Sequence, residues 1–337
     1  MTENRLSSYV PYMVILLLLE AIPLITQEPY VFHILCLIGI NIVFACSLNA
    51  ILNIGELNLA QAAFMGIGAY ASTLLVTRLG LNFWLAMPAA ALVATVFSLL
   101  IGLLTLRFRD AYFLLFTFLF AELVRILLSN FWIGLFGGIP GLTNIPKPRI
   151  DLGGSLVVTF DSKIAFYYLI LLLTVFTVVV LRRIDGSRIG MIFKAISLSE
   201  SLAESIGIST MKFKILGCAV GCFFAGVAGS MYAHFVGIIT PSDFSIHAVL
   251  APIAYVVVGG MGSVFGPVLG TAFLMVLSHF FLRQFGFYEL LIYGIIIVLI
   301  IRFMPEGLIS VPRVISDWWD SNGWKTGKVK GHESAGS

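Results

Sequence analysis

Apolar runs long enough to cross a bilayer follow one another along most of this chain, and no other feature narrows its folding so far. Of its 337 residues 59% are hydrophobic and 11% charged, far from the balance of a soluble domain. A hydrocarbon core about 30 Å thick takes roughly 20 residues of helix, and inside it the backbone must satisfy itself. The expected fold class is therefore an all-α polytopic membrane protein of about ten transmembrane helices. The runs cover residues 10–25, 30–52, a third after a break at 53–73, then 84–106, 111–129, 164–181, 213–235, two within 247–282, and 288–303. The first follows Arg5, contains Glu20 and lacks a small-residue cleavage site, so it reads as a retained helix and not a secretory signal.

Charge orients these spans. The net charge of +3 points to no nucleic-acid partner, but the distribution is informative. Ten spans with both ends inside put about 14 of the 20 Lys and Arg residues on the cytoplasmic side, as the positive-inside rule requires. In that arrangement residues 1–315 form the transmembrane domain, loop 130–163 is external and loop 182–214 is cytoplasmic. The tail 316–337, with Trp318, Trp319, Trp324, Lys325, Lys328 and Lys330, reads as an interfacial segment followed by disorder. The groups of four spans on either side of the basic loop start on opposite sides of the membrane, which suggests an inverted repeat.

Interruptions of the apolar pattern mark candidate working parts. Loop 182–214 carries six Lys or Arg residues, and from 192 to 206 apolar and polar residues alternate at helical spacing, as in a short helix outside the membrane. Glu200, Ala203 and Glu204 share one face of that helix, and Gly207, before Ile208, suits a left-handed cap. The alternative is a solvated loop that only anchors topology. In NIGELNLAQAAFMGIGAYAST, residues 53–73, Asn53, Glu56, Asn58 and Gln61 either line a path through the membrane or belong to a short turn, since irregular backbone at that depth needs protein or water to cover it. Within 247–282 the chain breaks near Gly259–Ser263, where Gly259, Gly260, Gly262 and Ser263 either present backbone groups to a solute or make a tight turn. Loop 130–163, with GGIPG at 137–141 and a β-rich run at 156–160, is long enough for a small exposed cap.

Glu122 and Arg125 stand three apart in one span, where pairing relieves roughly 2.5–3.5 kcal/mol that a lone charge costs near a helix centre. The pair serves as a structural pin or, in a sharper reading, a gate. Gly217, Gly221, Ala225 and Gly229 form a stripe of small residues at intervals of four, and Gly262, Gly266 and Gly270 repeat the spacing; such stripes let helix backbones approach closely. Cys218 and Cys222, one turn apart, lack a nearby His or acid and read as packing residues with no metal.

NIGELNLAQAAFMGIGAY, FAELVR followed by GGIPG, SRIG, AGVAGSMYAHFVG, VVVGGMGSVFGPVLG and FMPEGL, in this order over residues 40–308, resemble the M-type permease of branched-chain amino acid ABC importers. The resemblance implies a second, H-type permease, two cytoplasmic ATPases, an external solute-binding protein, a lipid environment and a bacterial inner membrane with both termini cytoplasmic. It makes Glu200, Ala203, Glu204, Gly207 and Ile208 the candidate ATPase-coupling residues, and branched-chain amino acids the expected solute. Importers of urea, short amides and other small organic solutes belong to the same resemblance. The chain departs from the pattern at Asn58-Leu59-Ala60-Gln61, where a Ser-Leu-Gly-His run is common, and at Ser197-Leu198-Ser199, which is followed by a single Ala203 in place of paired alanines.

No GxxxxGK[ST] loop is present, so ATP and Mg are expected on partner subunits with no cofactor bound here, and no HExxH suggests intramembrane hydrolysis. A self-sufficient secondary transporter remains the alternative, with Glu20 and Glu122 its only clear ion-coupling acids. An enzyme would need a reactive constellation, and His234, His247 and His279 are too scattered to make one evident.

Overall fold

The structure, a computed structural model, describes residues 28–108, 111–151, 157–159, 162–282, 284, 288–304 and 307–310. The run at 10–25 and the tail 316–337 lie outside the described residues. The helices are α1 Pro29–Leu52, α2 Gln61–Thr77, α3 Phe83–Thr105, α4 Ala111–Asn130, α5 Ile133–Phe136, α6 Lys163–Asp185, α7 Arg188–Leu198, α8 Glu200–Ser205, α9 Thr210–Val236, α10 His247–Gly259, α11 Phe265–Val276 and α12 Glu289–Phe303. A π-helical stretch, Leu277–Leu282, prolongs α11.

Six of these are long and apolar enough to cross a membrane: α1, α3, α4, α6, α9 and α11 with its extension. Three apolar helices are shorter, in α2, α10 and residues 291–300 of α12, so the expected ten full spans are not reached among the described residues. One expected run, 10–25, lies outside the described residues; the polar segment 53–60 bounds α2, and the Gly-rich break after Gly259 bounds α10. The long loop is also more structured than its composition suggests, with α5 and an antiparallel ribbon of β1 Arg149–Asp151 and β2 Val157–Thr159.

Helix α9 is the centre of the bundle, packed by α1, α2 and α3. Its small residues explain how. A Cβ at Gly221 would meet the Ile51 side chain and the Ser47 carbonyl of α1, and one at Gly217 would meet Ile54 at 2.9 Å. At Gly229 it would run into the backbone of α2 at Met65, and at Gly226 into α3 at Ala91. Without hydrophobic sorting between helices in lipid, such close approach is the main attraction. The outer surface is apolar in turn: Leu92, Val96, Leu100 and Leu104 of α3 and Leu172, Phe176 and Val179 of α6 are exposed at helical spacing, as lipid contact requires.

The bundle has two distinct ends. At one, Lys163 donates to the Pro29 carbonyl, Arg78 donates to the carbonyl of Gly134, and Leu142 pairs with Ile239. At the other lie the 53–60 segment, helices α7 and α8, and the break between α10 and α11, where Asn49 Nδ2 donates to the Ser263 carbonyl at 3.2 Å.

Candidate functional site

The basic loop is two helices and not the single one its periodicity over 192–206 predicts. Ser187 caps α7 by accepting from the amides of Ile189 and Gly190. Ser199 then takes an extended conformation (φ −163°), closes α7 through its own N–H and caps α8 by accepting from Leu202 N at 3.3 Å. At the far end Gly207 sits at φ +86°; its N–H donates to the Glu204 carbonyl while Ile208 N–H donates to that of Ala203. That reciprocal pair is the Schellman closure, and it sets the angle at which the chain re-enters the bundle.

Ala203 is only 2% exposed, turned into the protein, and the Glu200 carboxylate accepts from Lys214 Nζ at 2.9 Å. Glu204 accepts from the Thr210 hydroxyl at 2.8 Å. Leu198, Leu202 and Ile206, four apart, are 87%, 65% and 70% exposed. A helix on its own protein normally buries its apolar stripe. Here the Glu200 carboxylate turns to the buried ammonium of Lys214, Glu204 stays exposed, and Leu202 of α8 faces out between Leu198 and Ile206 on either side of the helix. Leu198, Leu202 and Ile206 are the exposed large apolar residues of this segment.

Lys214 is the residue that sequence reasoning missed. It stands in the first turns of α9, where charge suggested only a loop end, yet its side chain is 6% exposed. Its Nζ also donates to Glu56 Oε1 at 2.8 Å, whose side chain is 10% exposed. Removing one partner of such a buried pair typically costs about 3–5 kcal/mol, since the other charge is left in apolar surroundings. The backbone brings Glu56 there through Gly55 (φ +84°), where an added Cβ would lie 3.1 Å from Ser197 Cα, so the turn after α1 rests on the end of α7. A Lys with its carboxylates 14 and 158 positions upstream leaves no local pattern in a sequence.

The remaining candidates divide. Gln61 is fully buried: its Nε2 donates to Ser47 Oγ at 2.9 Å and to the Gly221 carbonyl at 3.2 Å, tying α2 to α1 and α9. Asn53 caps α1. Asn58 accepts from the Ala60 amide at 2.9 Å and lines a cavity of about 10 Å³ with Phe64, Ser98, Thr117 and Cys218, room for about one water. Gly259 and Gly260 belong to a tight hairpin, because a Cβ at Gly259 would strike the Gly266 backbone and Gly307 presses on Gly260; Gly266 and Gly270 complete the same contact. Gly262 (φ +85°) stays open, and the Ser263 carbonyl is taken by Asn49.

Glu122 and Arg125 do pair: Arg125 Nε donates to both carboxylate oxygens at 3.0 and 2.9 Å, and Nη2 to Oε1. Both side chains are about a third exposed, and the pair ties one turn of α4 to the next. His234 closes a buried chain in which Ser230 donates to Ser72 Oγ at 2.7 Å, Ser72 Oγ lies 3.0 Å from His234 Nε2, and His234 Nδ1 lies 2.7 Å from the Pro146 carbonyl. Two hydroxyls, an imidazole and a carbonyl satisfied by one another make a structural tie between α2, α9 and the long loop.

A bundle with a glycine-packed centre and six described helices long and apolar enough to cross a membrane is the architecture of a membrane-embedded protein. Residues 30–301 match the family described as "Branched-chain amino acid transport system / permease component", and the chain belongs to that family. It is 33% identical over 293 residues to the high-affinity branched-chain amino acid transport system permease protein LivM of Salmonella typhimurium, covering 81% of this chain and 68% of that protein, with the same figures for LivM of Escherichia coli. It is 29% identical over 133 residues, 39% of this chain and 43% of the relative, to the permease protein BraD of Pseudomonas aeruginosa. No solved structure shows a significant match.

Proposed function

We propose that the chain is the membrane-spanning permease subunit of an ATP-driven importer for branched-chain, hydrophobic amino acids. It works beside a second, H-type permease, takes solute from an external binding protein, and is driven by two cytoplasmic ATPases that hold ATP and Mg. The setting is a bacterial inner membrane, with the end of the bundle carrying α7 and α8 in the cytoplasm.

The observation that carries this reading is the exposed apolar cluster formed by α8 and the residues that flank it. Leu198, Leu202 and Ile206 project from the polar end of the bundle, where water makes such exposure costly, so the stripe favours a partner. An ATPase that closes on nucleotide can move the membrane domain only if it grips a rigid element, and grips it differently in its two states. A six-residue helix with a serine cap at one end and a glycine closure at the other is such an element.

Co-expression with the chromosomal neighbours and reconstitution with the binding protein tests the proposal. We expect co-purification of an ATPase and a second permease, ATP-dependent uptake of leucine, isoleucine and valine, and loss of the ATPase from the complex in Leu202→Glu with folded yield of the chain unchanged. Uptake of urea or a short amide instead would reassign the solute. A chain that purifies alone and transports normally as Leu202→Glu would overturn the reading.

A further inference from the structure

Three elements at the polar end of the bundle meet at one ammonium. Helix α8, the 53–60 segment between α1 and α2, and the central helix α9 are joined by Lys214, which reaches Glu200 at 2.9 Å and Glu56 at 2.8 Å. We propose that Lys214 is a positioning residue coupling α8 to the 53–60 segment, its Glu56 arm permanent and its Glu200 arm the one that opens as the importer changes state. This rests on the permease reading above.

The asymmetry of the two arms decides which opens. The Glu56 side chain is 10% exposed and the Lys214 side chain 6%, so water cannot readily take the place of either in that arm. The Glu200 side chain is 26% exposed and can pass to water as it leaves. Its helix is also built to leave. The joints of α8 are the extended Ser199 and the left-handed Gly207, and a Cβ at Gly207 would meet nothing within 4 Å, so the chain has space to turn there. A rotation of α8 driven through Leu202 and Ile206 withdraws Glu200 and leaves Lys214 with Glu56 alone.

The effect reaches the bundle because of what surrounds Glu56. Gly55 rests on Ser197 at the end of α7, Asn58 lines the small cavity two residues beyond Glu56, and Gln61 opens α2 with bonds to α1 and α9. A simple anchor needs no charge, since an apolar contact of equal volume holds as well as a buried ion pair. A charge shared between one mobile and one fixed carboxylate gives two arrangements of similar stability, which is what a switch requires.

The complete importer, reconstituted with its binding protein, provides the test, read as solute moved per ATP hydrolysed. Glu200→Gln keeps shape and removes charge; we expect near-normal folded yield and a fall of about fivefold or more in that ratio. Glu200→Asp, which retains the carboxylate, should recover most of it. Lys214→Met alone should lower yield by removing the ammonium from beside the buried Glu56 carboxylate. The double variant Glu56→Gln/Lys214→Met should restore yield but keep the low ratio, which a purely structural role would not produce. A wild-type ratio in Glu200→Gln or in the double variant overturns the proposal. A wild-type complex with no ATP-driven uptake at all overturns the permease reading first, and the two failures are thus distinct.

Discussion

Gln61 answers to three helices at once, and its neighbours account for every polar atom it carries. The Nε2 group donates to Ser47 of α1 and to the Gly221 carbonyl of α9, while Oε1 takes the weak S–H of Cys222 at 3.7 Å. Interhelical hydrogen bonds in membrane proteins contribute modestly, so Gln61→Leu should lower stability by roughly 1–2 kcal/mol, read as a fall in the midpoint of thermal unfolding in detergent. An unchanged midpoint with lost uptake would mean that solute, and not Ser47, is its true partner. At this scale the sequence was only partly legible. That a glutamine where the chain turns polar must find partners is evident from its chemistry; that they would be inside the protein is not. Lys214 was illegible for the same reason in reverse: a basic residue beside a basic loop looks solvated until Glu56 and Glu200 are brought to it.

At the scale of the element, glycine separates two roles that spacing alone merges. Gly266 lies against the backbone of Gly260, so Gly266→Leu must push α10 and α11 apart and should reduce folded yield severely. Gly207 has open space around it and only its left-handed backbone to defend. Gly207→Val should therefore leave membrane insertion and yield intact, loosen α8 by about 1–2 kcal/mol, and weaken ATPase binding several-fold in pull-downs. Equal yields for both variants would remove this distinction. The break near Gly259–Ser263 and the closure at Gly207 were readable because each needs a conformation that glycine supplies. The exposure of Leu198, Leu202 and Ile206 was not: it depends on Ser199 breaking the helix between the first two and on Lys214 drawing Glu200 inward, and spacing shows neither.

For the molecule as a whole, the two ends of the bundle should lie on opposite sides of the membrane. Leu198→Cys should resist an impermeant thiol reagent applied from outside, and Ile139→Cys, 74% exposed in the long loop, should react with it. External labelling at position 198 would invert the topology and remove α8 from reach of any cytoplasmic ATPase. Most of the spans were legible because the bilayer imposes a length, and the short ones were misjudged because α10 relies on a neighbour where the expectation was a full crossing. That reliance bears on biogenesis. The 13 residues of α10 extend only about 20 Å, with Pro252 inside them, against a hydrocarbon core of about 30 Å. Its contact with α11 through Gly259, Gly266 and Gly270 is what completes it. As the polypeptide leaves the ribosome, then, α10 cannot be committed to the bilayer when it first emerges; it must wait for the next twenty or so residues and enter with them as one unit.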